Sequence, residues 1–178
     1  PSGTVYYVYS EAGQLIGEYG AAGVLIQETI WLGDIPVATV RPKAGGGVDV
    51  FYVHTDHLNT PRRVTTPVGN SVVWRWDSDP FGEAPANADP DGDSTQFVFN
   101  LRFPGQYADV ESGLNYNYFR DYDPAIGRYV ESDPIGLAGG INTFAYVSGN
   151  PVMLFDLMGL VPLGPLKISL DLEHSTYT

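Results

Sequence analysis

The 178-residue chain is 43% hydrophobic and only 17% charged, which is enough apolar content to bury a modest core and too much for disorder throughout. Nine Lys and Arg against 21 Asp and Glu give a net charge of −12, which argues against non-specific binding to nucleic acid or an anionic membrane. The absence of cysteine excludes disulfides, thiolate metal sites and cysteine nucleophiles, and no apolar run reaches the roughly 18 residues of a membrane span.

The 21 Gly, 14 Pro and 12 Tyr predict a mainly β protein of short strands and many turns. Thr4–Tyr9 and Gln14–Tyr19 are β-rich runs flanking Ser10–Gly13, a hairpin signal. After the turn at Gly20–Gly23 come Val24–Leu32 and, beyond Gly33–Pro36, Val37–Val40. Lys43–Gly47 reads as a loop, Val48–His54 and Arg62–Thr66 as strands, and Gly69-Asn70 as a tight turn into Ser71–Trp76. Residues 77–95 form a long loop punctuated by Asp79-Pro80-Phe81-Gly82 and Asp89-Pro90-Asp91-Gly92-Asp93. Strands are expected again at Gln96–Phe103, at Leu114–Arg120, where aromatic and polar residues alternate, and at Ile126–Val130. The Gly-rich stretch Asp133–Leu160 predicts one or two short helical turns, around Ala138 and around Asn142–Tyr146. Leu166–Leu172 reads as an added strand or a truncated linker. Successive hairpins leave open sheet edges, which favour edge pairing or oligomerisation. The chain starts at Pro1 and carries no basic-then-apolar leader, so it is read as a fragment without its own signal peptide.

Several ordered motifs carry a resemblance. His54-Thr55-Asp56-His57-Leu58-Asn59-Thr60-Pro61-Arg62 resembles the YxxDHLxxPR signature of Rhs (rearrangement hotspot) and YD-repeat proteins, and Trp76–Gly82 resembles the "aYDpFGe" element that follows it. Phe103-Pro104-Gly105-Gln106-Tyr107 and Gly113–Pro124 are similar to the FpGQy and GLyYnrfRyYdP motifs of that family. Gly127–Leu137 is similar to GRFlspDPiGL, and Asn142–Leu160 to NlYaYvxNnPvxxxDPxGL. Residues 1–160 are thereby identified as an Rhs repeat-associated core domain with part of its shell. The resemblance implies successive antiparallel hairpins of a β-shell that closes as a cocoon around a C-terminal toxin. It implies hairpins at 1–95, an autoprotease core at 96–160, and a post-cleavage linker or truncated toxin start at 161–178. It also implies a bacterial toxin that is secreted or delivered to a target. The implied partners are the encapsulated toxin of the parent chain, the upstream shell, and secretion-apparatus or immunity proteins.

The resemblance further implies an aspartyl autoprotease that cuts once, in cis, after the Leu of the terminal motif. Its acids map to Asp133 and Asp156, its Arg to Arg120, and the scissile bond to Leu160–Val161. One carboxylate of such a pair activates water while the other protonates the carbonyl oxygen, and a guanidinium holds one acid ionised or stabilises the oxyanion. Read from spacing alone, an Asp before Pro is a turn or cap residue, and Arg120 is a salt-bridge partner for Asp121, Asp123 or Glu131. Leu157 stands where the family has Pro, which frees the backbone of Asp156 and points to a looser pair. No cofactor and no metal is expected. Asp89, Asp91 and Asp93 are a weak calcium candidate, and His54, Asp56 and His57 a weaker metal one that fits a structural turn better. Two other readings stand: a catalytically inactive β scaffold, and a carbohydrate- or partner-binding β module using Trp74, Trp76 and the Tyr rows.

Overall fold

The computed structural model describes residues 3–164. Seven strands form one antiparallel meander in chain order: β1 (Tyr6–Tyr9), β2 (Leu15–Tyr19), β3 (Leu25–Leu32), β4 (Ile35–Pro42), β5 (Val48–Thr55), β6 (Pro61–Thr65) and β7 (Val72–Arg75). A second, four-stranded sheet contains β8 (Tyr107–Asp109), β9 (Leu114–Asn117), β10 (Arg120–Asp123) and β11 (Arg128–Tyr129), ordered β11-β10-β9-β8. The mainly β expectation of successive hairpins is met, and among the described residues helix is confined to short 3-10 turns.

Register decides which side chains share the inner face of the large sheet. The pairs Glu18↔Gln27, Thr29↔Thr39, Thr39↔Phe51, Val53↔Val64 and Val64↔Trp74 put these residues on one side. A core of Val53, Val64, Trp74, Trp76, Phe97, Phe99, Phe103, Tyr122, Tyr129, Tyr146 and Val147 lies against that face and is shared with the smaller sheet. Ring pairs stitch it: Phe51–Phe97 at 4.8 Å, Trp74–Phe99 at 5.3 Å and Tyr122–Tyr146 at 4.6 Å between centroids.

Gln96–Phe103 is not the expected strand. It crosses the inner face of the large sheet and pairs only through the single bridge Leu101↔Tyr107. Its alternating aromatics fill the core, and its polar backbone is met by side chains. Arg41 of β4 donates to the Val98 carbonyl and lies 3.5 Å from the centroid of Phe97. Glu18, buried beside this strap, accepts from Gln27 and from the Tyr107 hydroxyl. Burial pushes the Glu18 carboxyl above its ordinary range and lowers Arg41 to about 10.

The run Leu114–Arg120 is broken into β9 and β10 by a two-residue turn at Tyr118-Phe119, with Tyr118 at φ +57°. The aromatic alternation runs straight through that turn, so periodicity could not reveal it. Ile126–Val130 contributes only Arg128–Tyr129, and β8 was not foreseen. One expected helical turn appears at Gly136–Gly139; the other lies at Val147–Gly149, because Asn142 closes a turn over 142–145 through bonds to Phe144 and Ala145. Residues 77–95 form the expected loop, tied to the sheet by the bridge Arg75↔Asn87. The strand or linker expected at Leu166–Leu172 lies outside the described residues.

Candidate functional site

The Asp56 turn shows how the first family motif works. Asp56 Oδ1 accepts from the amides of Leu58 (2.9 Å) and Thr60 (3.1 Å), while Oδ2 pairs with Arg62 Nε at 2.9 Å. His57 Nε2 meets the Val152 carbonyl at 2.9 Å, and His54 Nε2 meets Thr65 Oγ1, also at 2.9 Å. These three side chains therefore serve separate partners and do not converge as a metal site. Trp74 and Trp76 are buried in the core and present no ring to solvent, so they offer no sugar-stacking surface. Asp89, Asp91 and Asp93 do come together, with one carboxylate oxygen each lying within 4.8 Å of the others. They sit in an exposed loop whose Asp89 caps the Ser94 amide.

The tight β9–β10 turn fixes Arg120 at the start of β10 with its side chain directed inward. Its Nη2 lies 3.0 Å from Asp133 Oδ2 and 3.5 Å from Asp156 Oδ2, and all three side chains are only 3% exposed. The remaining nitrogens bind main chain: Nε donates to the Gly159 carbonyl, and Nη1 to the Thr143 carbonyl at 2.9 Å. Residues 13 and 36 positions downstream of Arg120 are thus gathered by one guanidinium. Arg120 pairs with these acids, not with Asp121, Asp123 or Glu131; the Glu131 carboxylate instead accepts from the Asp121 amide.

Each acid also closes a turn. Asp133 Oδ1 accepts from the Ile135 amide at 3.0 Å. Asp156 Oδ1 accepts from three amides, those of Met158 (3.3 Å), Leu160 (2.9 Å) and Val161 (3.3 Å). The 156–161 segment therefore curls around this carboxylate and brings the Leu160–Val161 peptide against it. Two glycines permit the curl. Gly159 has φ +68°, and a Cβ there would lie 2.6 Å from the Asn117 carbonyl oxygen. At Gly139 a Cβ would lie 2.3 Å from Asp133 Oδ2 and 3.0 Å from the Leu160 carbonyl oxygen, so Asp133 and that carbonyl face the same small gap. A cavity of about 410 Å³ lined by Arg120, Gly139, Asn142, Asp156 and Leu160 opens beside it.

Sequence reading missed two neighbours. Tyr129 Oη is 3.0 Å from Asp156 Oδ2, and Asn117 Nδ2 donates both to Tyr129 Oη (2.8 Å) and to the Asp156 carbonyl (3.0 Å). Burial, then the Asp156 charge, push the Tyr129 phenol above its ordinary value. The signal was present: Tyr129 and Asn117 both fall inside recognised motifs, in strands adjacent to Arg120. With Leu at 157, Asp156 is still held through both side-chain oxygens and its carbonyl.

No family model matches the chain. Among curated proteins it is 41% identical over 135 residues to "Double-stranded DNA deaminase toxin A" of Burkholderia cenocepacia, covering 74% of this chain and 9% of that protein. It is 39% identical over 143 residues to "Probable deoxyribonuclease RhsA" of Dickeya dadantii, covering 78% and 9%. It is 37% identical over 116 residues to "Toxin protein Tse5" of Pseudomonas aeruginosa, covering 65% and 8%. The chain thus spans about a tenth of the length of these relatives. The solved TcdB2-TccC3 structure without its hypervariable C-terminal region shares the fold, with a TM-score of 0.56 at 21% identity over 88% of this chain and 9% of that one. Ordered motifs, relatives and fold agree that the chain belongs to the Rhs (rearrangement hotspot) or YD-repeat family and carries its core domain.

Proposed function

We propose that this chain is the self-processing core of a larger Rhs toxin and hydrolyses its own Leu160–Val161 bond. The observation that carries the reading is one buried guanidinium touching both Asp133 and Asp156 while Asp156 also receives the Val161 amide. One guanidinium faces two carboxyls, so a single proton shared between them leaves the buried site neutral, which is the state a low-dielectric site favours.

The surroundings distribute the roles. Asp156 is met by five donors, which suits the ionised form and makes it the base that takes a proton from water. Asp133, facing the gap beside the Leu160 carbonyl, holds the shared proton and gives it to that oxygen as water adds to the carbon. The tetrahedral intermediate then collapses: the C–N bond breaks, Asp156 passes its proton to the Val161 nitrogen it already contacts, and Asp133 recovers its own. The products are the Leu160 carboxyl and the Val161 amine. Because the substrate is folded into the catalyst, a single turnover draws on high effective molarity. Water reaches the bond through the adjoining cavity.

Residues 1–95 serve in this reading as shell hairpins and 96–160 as the processing core, with the released segment starting at Val161. The toxin names of the relatives support delivery to a target as part of a toxin, with the parent's C-terminal toxin as the enclosed partner. The test is intact mass and N-terminal sequencing over time. A new terminus at Val161, lost in Asp133→Asn and Asp156→Asn, is expected. Breaks after Asp79, Asp89, Asp123 or Asp133 would be acid hydrolysis at Asp-Pro, and a chain that stays whole would leave the scaffold reading, in which Asp156 only caps its turn.

A further inference from the structure

The hydroxyl of Tyr129 is one of the five donors to Asp156, and the family motif carries Phe at this position. The hydrogen of that hydroxyl can be placed. The Asp156 main-chain carbonyl only accepts, so the atom of Asn117 facing it at 3.0 Å must be the amide nitrogen, and no flip of the side chain is open. That same nitrogen lies 2.8 Å from Tyr129 Oη, so the phenol oxygen accepts from Asn117. Its own hydrogen is left for the acceptor that faces it among the described residues, Asp156 Oδ2, at 3.0 Å. The ring cannot swing away: Arg120 Cζ sits 3.6 Å from its centroid, and Tyr122 and Tyr146 pack edge-on at 5.9 and 5.8 Å.

We infer that Tyr129 is a positioning residue that, with Asn117 behind it, holds Asp156 as the ionised member of the acid pair. The inference rests on the self-cleavage reading for its consequence, but not for its geometry. The ionisable groups facing Asp156 are Arg120 from β10, Tyr129 from β11, and Asp133 and Tyr146 from the segment after it. Arg120 Nη2 touches both acids and lies nearer Asp133 (3.0 Å) than Asp156 (3.5 Å), so the guanidinium by itself does not make Asp156 the ionised member. The phenol donor reaches Asp156 and not Asp133, and it adds to the three turn amides on Oδ1 in setting Asp156 apart as the base. A donor to the charged form is lost when the hydroxyl is removed, and the proton then competes better for Asp156.

The test is Tyr129→Phe in the full chain, which keeps the ring and removes only the oxygen. Asp is labelled with carbon-13 at its carboxyl carbon, and the Asp156 signal is assigned by its loss in Asp156→Asn. Losing one hydrogen bond to the charged form is expected to move the pH response of the Asp156 signal upward relative to the parent. The acid limb of self-cleavage should rise with it, giving about tenfold slower cleavage at a fixed pH on that limb and near-parental rates at high pH. Site-specific 3-fluorotyrosine at position 129, a stronger donor, should move both downward. Superimposable titrations with and without the hydroxyl, in chains of equal melting temperature, overturn the inference. A parental chain that never cleaves refutes the reading it builds on, while the carboxyl titration still decides the role of Tyr129.

Discussion

Replacing Gly139 with Ala isolates the approach of Asp133 to the Leu160 carbonyl of the bond proposed above to be cut. Gly139 lies in a 3-10 turn outside the left-handed region, so alanine carries no backbone penalty and acts by volume alone. Its methyl would stand 2.3 Å from Asp133 Oδ2, 2.9 Å from its Cγ and 3.0 Å from the Leu160 carbonyl oxygen. Ordinary contact starts near 3.4 Å, so the carboxyl must retreat by about 1 Å. It cannot do so freely, because it is 3% exposed and held at 3.0 Å by Arg120. Misplacing a reacting group by about 1 Å costs on the order of 100-fold in rate. Overpacking costs about 1–3 kcal/mol, or roughly 3–10 °C in melting temperature for a domain of this size. The assay is the cleaved fraction by intact mass over time, beside a thermal melt. Gly20→Ala is the control, since its nearest neighbours would be 3.8 and 4.0 Å away and its φ is −76°. A Gly139→Ala chain that cleaves and melts like the parent would show that Asp133 does not sit against the bond.

Two further outcomes follow from acids outside the site. The Glu18 carboxyl is raised chiefly by burial, against the pull of Gln27, Tyr107 and Arg41, so the folded state prefers it protonated. Its contribution is fully present below the ordinary Glu value and is lost as pH rises through the raised one; Glu18→Gln should therefore melt at or above the parent at pH 7 and converge with it at acid pH, and a variant markedly less stable at pH 7 would refute the sign. Asp56→Ala removes the acceptor of two amides and the partner of Arg62, and should lower stability by about 2–3 kcal/mol in denaturant titration; a loss below about 0.5 kcal/mol would mean the turn holds without its carboxylate.

The meander from Tyr6 to Arg75 was legible because its strands alternate on a half-buried face and its turns are marked by Gly, Asn and Asp. The link between β3 and β4 is shorter than the sequence suggests: Gly33 and Asp34 alone make the turn, so Ile35 and Pro36 pair with Leu32 and Trp31. Beyond Arg75 local pattern loses authority. Phe97, Phe99 and Phe103 alternate like a strand but face the inner side of a sheet whose edge they do not join, and only tertiary packing distinguishes the two. Arg120, Asp133 and Asp156 were legible through motifs, never through spacing. Tyr129 and Asn117 were hidden because an aromatic and an amide on short strands look like ordinary packing until the register aligns Asn117 with Arg120.

The Pro-to-Leu departure at 157 shows how the same end is reached by different means. Proline would restrict the residue before it by sterics within the chain. Here the restraint comes from neighbours. The Leu157 carbonyl lies so close to Gly105 that a Cβ there would approach within 2.2 Å, the Met158 carbonyl accepts from the Phe119 amide at 3.2 Å, and the Asp156 carbonyl is held by Asn117. Asp156 is thus fixed from three directions by the β9–β10 turn and the Phe103–Gln106 motif. A restraint built from packing is shared among motifs, so it depends on the integrity of the fold in a way that a proline ring does not. That dependence ties the geometry of the acid pair to the native packing of β9, β10 and the segment wrapped over them.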